Sequence, residues 1–315
     1  MNFIYIIIGL ALLVLGGNWL LKSAIGLSLK FNISKIIVGL TIVSFATSAP
    51  EMIVSVKAAL SGFSDIALGN IIGSNIANIG LVLGIVLLIN AINLDITFLR
   101  LDWPVTMITT ILLFIFLIID GVLNRTEGVI FILILILYIL YLIKINTKIE
   151  SETDLKNAME KCNNLSFIMI FTFLFIGGFS LWFGSELLVN GAVNLAKNLG
   201  VSKRVIAITV VSVGTSIPEL ASSIIAAVKK ESAISIGNII GSNIFNILSV
   251  LGITSIIQPI ENIDVRILES DIYWMLAFVF VLLPLLYLPK RFSLSFKEGI
   301  ILIVMYILFV YFTLT

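Results

Sequence analysis

The sequence predicts an all-α integral membrane protein with ten transmembrane helices, built as two five-helix repeats of inverted topology. Three observations predict it. The 315 residues are 60% hydrophobic and only 12% charged, with a mean hydropathy of +1.19, far from the roughly 25% charged residues of an ordinary soluble domain. The charges gather in short clusters, such as Lys229 to Glu231, and the apolar runs between them can cross a ~30 Å hydrocarbon core. The chain also repeats itself.

Taken in order, the apolar runs place spans near 3–29, 34–61, 66–92, 103–119 and 128–145, then near 166–195, 202–228, 234–258, 271–288 and 298–314. The first run is too long for the apolar core of a signal peptide and is read as a retained span. Adding 168 to a residue number carries Gly16 onto Gly184, Ser34 and Lys35 onto Ser202 and Lys203, Glu51 onto Glu219 and Gly84 onto Gly252. "GNIIGSNIANI" at 69–79 returns as "GNIIGSNIFNI" at 237–247 with one difference, and the matched residues include the polar ones. Five spans per repeat is an odd number, so the second repeat enters the membrane from the opposite side. The expected organisation is a first repeat over 1–147, a cytoplasmic connecting loop over 148–165 and a second repeat over 166–315. Lys and Arg crowd the loops on the side that holds this connection, which places both termini outside the cell. Short loops suggest a multi-pass protein of the plasma membrane.

Composition also excludes. There is no histidine, and Cys162 is the only cysteine, so no intrachain disulfide, cysteine-built metal site or histidine proton carrier exists. No His or Cys constellation activates a nucleophile, which argues against an enzyme. No prosthetic group is expected. No basic face carries exposed aromatics, which argues against nucleic acid and leaves the lipid bilayer and small ions as partners.

The chemistry lies in polar residues set in oil. Spans two and seven carry Ser44, Thr47, Ser48, Pro50, Glu51 and Ser212, Thr215, Ser216, Pro218, Glu219. A proline in mid-span removes a backbone donor, so the carbonyls of Ala46 and Gly214 are expected to be freed. Spans three and eight add Ser74, Asn75, Asn78 and Ser242, Asn243, Asn246, with the asparagines of each pair three apart on one helical face. Gly69, Gly73, Gly237 and Gly241 form small-xxx-small pairs suited to close helix packing. The donor set is all oxygen, which suits Na⁺, Ca²⁺ or Mg²⁺ rather than zinc or copper. Two carboxylates neutralise one Ca²⁺, and Na⁺ ions competing for the same oxygens give a physical basis for exchange.

Plain structural roles compete with this reading. An ionisable residue in mid-span is costly and usually functional, and Glu51 and Glu219 recur symmetrically. Hydroxyls in membrane helices often bond a carbonyl one turn back, and buried asparagines can be interhelical glue. Asn70, Asn75, Asn238 and Asn243 are therefore left outside the core set. Lys22 and Glu186 are read as snorkelling, Asp95, Asp102, Asp120 and Asp264 as solvated span ends, and Trp103, Trp182 and Trp274 as interface anchors.

The paired "TSAPE" and "TSIPE", each followed by "GNIIGSNI", resemble the α-repeats of the sodium/calcium exchangers within the Ca²⁺:cation antiporter superfamily. The resemblance covers the whole chain. It implies a midplane site where Glu51 and Glu219 bind Ca²⁺, and where Thr47, Ser48, Ser74, Asn78, Thr215, Ser216, Ser242 and Asn246 help to hold Na⁺. It adds the backbone carbonyls of Ser44 and Ser212. It further implies alternating access by movement of spans one and six. Some relatives have Asp at the position of Asn246, and the potassium-dependent branch associates that carboxylate with K⁺; Asn here points to K⁺-independent exchange. The expected activity is secondary antiport of Na⁺ against Ca²⁺, electrogenic, by a chain that works as a monomer. The alternatives are a Ca²⁺/H⁺ exchanger on the same fold and a cation channel with the Glu pair as its filter.

Overall fold

A computed structural model describes residues 2–94, 97–145, 166–198, 214–288 and 292–314. Backbone polar groups in lipid must be satisfied within the protein, and runs of Leu, Ile, Val and Phe satisfy them as helices. The helices are α1 (Asn2–Phe31), α2 (Lys35–Thr47), α3 (Ala49–Leu60), α4 (Ser64–Ile89), α5 (Phe98–Ile119), α6 (Arg125–Lys144), α7 (Phe167–Leu195), α8 (Ile217–Val228), α9 (Ser232–Ile257), α10 (Ile267–Tyr287) and α11 (Phe296–Thr313). Among the described residues eight are long and apolar enough to span a membrane, and α2 with α3, a broken pair, makes a ninth. The first part of the span expected over 202–228 and the expected connecting loop over 148–165 with Cys162 lie outside the described residues.

The break in the second span has a local cause. Pro50 has no N–H to offer the Ala46 carbonyl, and the chain turns at Ser48, whose φ and ψ are −84° and 1°. Ser216, ahead of Pro218, has nearly the same values, −86° and 4°. Both helices that follow begin with the proline in their first turn and a glutamate one residue later.

The chain divides into two compact units that do not follow the repeat. One comprises residues 1–47 and 141–238, the other 48–140 and 239–315. In the first, α1 and α7 run antiparallel in close contact. A Cβ on Gly9 would lie 2.7 Å from the Gly184 carbonyl oxygen, and one on Gly16 2.9 Å from that of Gly177. Around this seam Leu13, Leu20 and Leu27 bury against Ile170, Leu181, Val38 and Ala226. Gly237 of α9 meets α2 as closely, since a Cβ there would stand 2.6 Å from the Ile36 carbonyl oxygen. Lys35 and Glu231 form an ion pair at 2.7 Å. Lys22 is exposed, with its ammonium 5.8 Å from the centre of the Phe173 ring, and Glu186 is exposed as well.

The second unit is tied at two places. A two-stranded ribbon, β1 (Ile92–Asn93) with β2 (Ser293–Leu294), pairs antiparallel with Ile92 opposite Leu294. Elsewhere Leu123 bridges Ile260, and the backbone N–H groups of Glu261 and Asp264 donate to the side chains of Ser64 and Asp65. Asn124 with Glu127 and Ser295 with Glu298 cap the starts of α6 and α11, each glutamate accepting from the backbone N–H of the cap residue.

Three expectations are corrected. Asp102 is only 2% exposed, because α5 starts at Phe98 with a π-helical turn through Asp102, so this residue lies a turn inside the helix rather than at its solvated end. Trp103 donates its indole N–H to the Val279 carbonyl at 2.8 Å, which makes it a tie between α5 and α10. Gly73 has no described atom within 4 Å of a Cβ placed on it, and Gly69 only Ile267 at 3.7 Å, so that pair makes no tight crossing with the described residues.

On the outside, Phe3, Ile7, Leu10 and Val14 follow one face of α1 and are exposed, as a lipid-facing stripe requires. In contrast, α4 and α9 are 78% and 89% buried over their most apolar stretch, against 28–39% for the other spans. The two copies of "GNIIGSNI" therefore sit on the two most enclosed of the eight long spans.

Candidate functional site

In the first unit Ser44, Thr47, Ser222 and Ser223 meet at Asn238. Ser44, Thr47, Ser216 and Glu219 are all buried, with Thr47 and Glu219 at 0% exposure, and Thr215 is half-buried. Thr47 Oγ1 donates to Asn238 Oδ1 at 3.1 Å, and Asn238 Nδ2 donates to the hydroxyls of Ser222 and Ser223, each at 2.9 Å. The Ser44 hydroxyl donates to the Gly39 carbonyl at 2.7 Å and to that of Asn238 at 3.0 Å. The Ser44 carbonyl receives Thr47 Oγ1 at 3.3 Å. The Gly214 carbonyl, which Pro218 frees from its helix, accepts the Ser185 hydroxyl of α7 at 2.8 Å. The residue matching Ser185 in the first repeat is Gly17, which has no hydroxyl to give. Ser212 lies outside the described residues.

In the second unit Ser48, Glu51, Ser74, Asn78, Ser242 and Asn246 are buried, with Glu51, Ser242, Asn78 and Asn246 at 0% exposure. Glu51 stands in the first turn of α3, at the partial positive charge of a helix start. Below it Asn70 donates to Ser55 Oγ at 3.1 Å and Ser55 to the Ala67 carbonyl at 3.1 Å, which binds α3 to α4. Asn78 and Asn246 each open a π-helical turn, Asn78–Leu83 and Asn246–Leu251. Such turns are frequent at functional sites because they leave main-chain groups out of the regular ladder. Asn75 donates to the Asn243 carbonyl at 3.2 Å and accepts from Asn246 Nδ2 at 3.0 Å. Among the described residues, Asn78 Oδ1 and Asn246 Oδ1 are buried acceptors without a hydrogen-bond donor.

An oxygen that is buried, neutral and without a donor costs free energy unless something positive meets it. A Na⁺ or Ca²⁺ ion with its bare oxygen preference is such a partner. Each unit thus offers a wholly buried glutamate one residue after a proline at a helix start, together with hydroxyl and amide oxygens.

Asn238 and Asn75, named in the sequence but left outside the core set, hold the side-chain hydrogen bonds just described. For Asn238 a spacing signal exists: Asn238, Ser242 and Asn246 fall at i, i+4 and i+8 and share a helical face, whereas no such spacing singles out Asn75.

The match to known proteins runs along the whole chain. The family model described as sodium/calcium exchanger protein matches residues 1–144 and 169–315. The chain belongs to the sodium/calcium exchanger family. It is 37% identical over 307 residues to the putative antiporter CaxA of Alkalimonas amylolytica, covering 96% of each chain. It is 28% identical to the sodium/calcium exchanger MaX1 of Methanosarcina acetivorans, covering 98% of this chain and 97% of that one. Solved structures of the sodium-calcium exchanger NCX_Mj superpose with TM-scores of 0.82 and 0.84 at 28% and 29% identity, each over 98% of this chain. As a member of this family the chain is a membrane transporter and not an enzyme.

Proposed function

We propose that this family member is a secondary active antiporter that exchanges Na⁺ for Ca²⁺ by alternating access, with Glu51 and Glu219 as its charged ligands. Thr47, Ser48, Ser74, Asn78, Thr215, Ser216, Ser242, Asn246 and the carbonyls of Ser44 and Ser212 complete the proposed donor set. The observation that carries the reading is the pair of wholly buried glutamates, each one residue after a proline in a helix that starts at a serine with the same backbone turn. A carboxylate in that position is expensive without a cation and useful with one. Exchange of more than two Na⁺ for each Ca²⁺ makes the cycle electrogenic, and Asn rather than Asp at 246 supports independence from K⁺.

The proposed ten-span inverted layout is supported by the two ties of the second unit. From β1, α5 crosses once to the Leu123 bridge; from Ile260, α10 crosses once to β2. The end of α4 leads to the first tie and that of α9 to the second, so the repeated motifs run in opposite directions. The proposed placement is the plasma membrane with both termini outside, and one chain carries the whole donor set.

The test is Ca²⁺ uptake into proteoliposomes loaded with Na⁺, against choline-loaded controls. Uptake that requires internal Na⁺, ignores K⁺ and disappears in both Glu51→Gln and Glu219→Gln supports the proposal. Uptake driven by a pH gradient without Na⁺ replaces it with Ca²⁺/H⁺ exchange, and flux that neither saturates nor shows countertransport replaces it with a channel.

A further inference from the structure

We infer that Asn75 is a positioning residue whose side-chain amide orients Asn246 so that its oxygen, not its nitrogen, faces the transported cation. The inference rests on the antiport reading and deepens it.

The two ends of an asparagine amide are alike in shape and opposite in chemistry: one end only donates hydrogen bonds and the other only accepts them. A cation ligand must present the oxygen. Nothing in Asn246 itself enforces that choice, so a neighbour has to.

The enforcing chain starts from a group with no ambiguity. The main-chain carbonyl of Asn243 can only accept, so the end of Asn75 that lies 3.2 Å from it is the nitrogen. The other end of Asn75 is therefore the oxygen, and it can only accept. What lies 3.0 Å from that oxygen on Asn246 is then Nδ2. Asn246 Oδ1 is left as the other end, buried and without a donor among the described residues. Asn75 and Asn246 are 2% and 0% exposed, so no bulk water competes for either amide.

The repeat gives an internal contrast. The counterparts of Asn75 and Asn246 are Asn243 and Asn78, and among the described residues neither of these side chains has a hydrogen-bond partner at its oxygen or nitrogen. The orienting relay is built on one side of the pseudo-symmetric pair and not on the other. Asn75 should therefore matter more than Asn243, although their motifs are the same.

The test separates orientation from general packing. A carboxylate has two equivalent oxygens, so Asp at 246 needs no neighbour to turn it. The purified full chain is titrated with Ca²⁺ by calorimetry, and the reconstituted protein is assayed for the Ca²⁺ concentration giving half-maximal uptake. Asn75→Ala is expected to weaken Ca²⁺ binding by about tenfold, the size of one hydrogen bond's control over a buried ligand. In the Asn246→Asp background the same Asn75→Ala change is expected to cost less than about twofold, a coupling that a double-mutant cycle reads directly. Asn243→Ala is expected to weaken binding less than Asn75→Ala. If Asn75→Ala does not fold, Asn75→Leu, which keeps the volume, takes its place in the same cycle. An equal loss in both backgrounds, or no loss in either, overturns the orienting role and leaves the antiport reading standing. No saturable Ca²⁺ binding by the unsubstituted protein overturns both.

Discussion

A Cβ atom added to Gly177 would stand 3.0 Å from the carbonyl oxygen of Gly16 and 2.8 Å from the backbone nitrogen of Leu20. The obstacles are main chain on the facing helix and cannot rotate away. Gly177→Val is therefore expected to push α1 and α7 apart and to lower stability by about 1–3 kcal/mol, the usual cost of overpacking. Thermal unfolding in detergent measures it. An unchanged midpoint would show that the seam tolerates separation.

Gly73 and Gly80 lie two turns apart on α4 and should answer oppositely. A Cβ on Gly80 meets Phe278 Cε1 at 2.7 Å and Tyr306 Cβ at 2.9 Å, while one on Gly73 meets no described atom within 4 Å. Gly80→Ala is expected to destabilise, and Gly73→Ala to stabilise by up to about 1 kcal/mol through helix propensity. Matching shifts of the same sign in the two variants would refute the packing shown here.

Asn238 joins α2, α8 and α9 through its bonds to Thr47, Ser222 and Ser223. Asn238→Leu leaves three buried hydroxyls short of a partner, at about 1–3 kcal/mol of stability. It also releases Thr47, so the half-saturating Na⁺ concentration for exchange is expected to rise. A variant that melts early but binds Na⁺ normally would confine Asn238 to structure.

The ion pair between Lys35 and Glu231 is partly exposed, at 24% and 21% for the two side chains. Pairs of this kind contribute about 0–1 kcal/mol and weaken with salt. Lys35→Met should cost little, and the exchanged pair Lys35→Glu with Glu231→Lys should recover what either charge reversal alone loses. A large, salt-independent loss in Lys35→Met would point to a role beyond the pair.

Much of this was legible in the sequence. Apolar length located the described spans to within a few residues, because lipid allows few alternatives to a helix, and the matching polar residues singled out Glu51 and Glu219, both wholly buried. What escaped depended on facts that no local pattern carries. Asp102 looked like a span end because Trp103 and Pro104 resemble a helix start, yet the helix begins a turn earlier. Ser185 lies in an ordinary apolar span, and only the packing of α7 brings its hydroxyl to the carbonyl that Pro218 releases. Asn75 and Asn243 have identical immediate neighbours, so their unlike bonding could not be read from either motif.

The ties of both units join residues far apart in the chain: Lys35 with Glu231, Ile92 with Leu294, Ser64 with Glu261. Ribosomes deliver the first of each pair long before its partner exists. During synthesis the glycines of α1 therefore wait for α7, Lys35 for the residue just ahead of α9, and β1 for β2, which is made just before α11. Closing such distant contacts late is slow, and it makes the nascent first half a natural client for whatever machinery shelters unfinished membrane proteins.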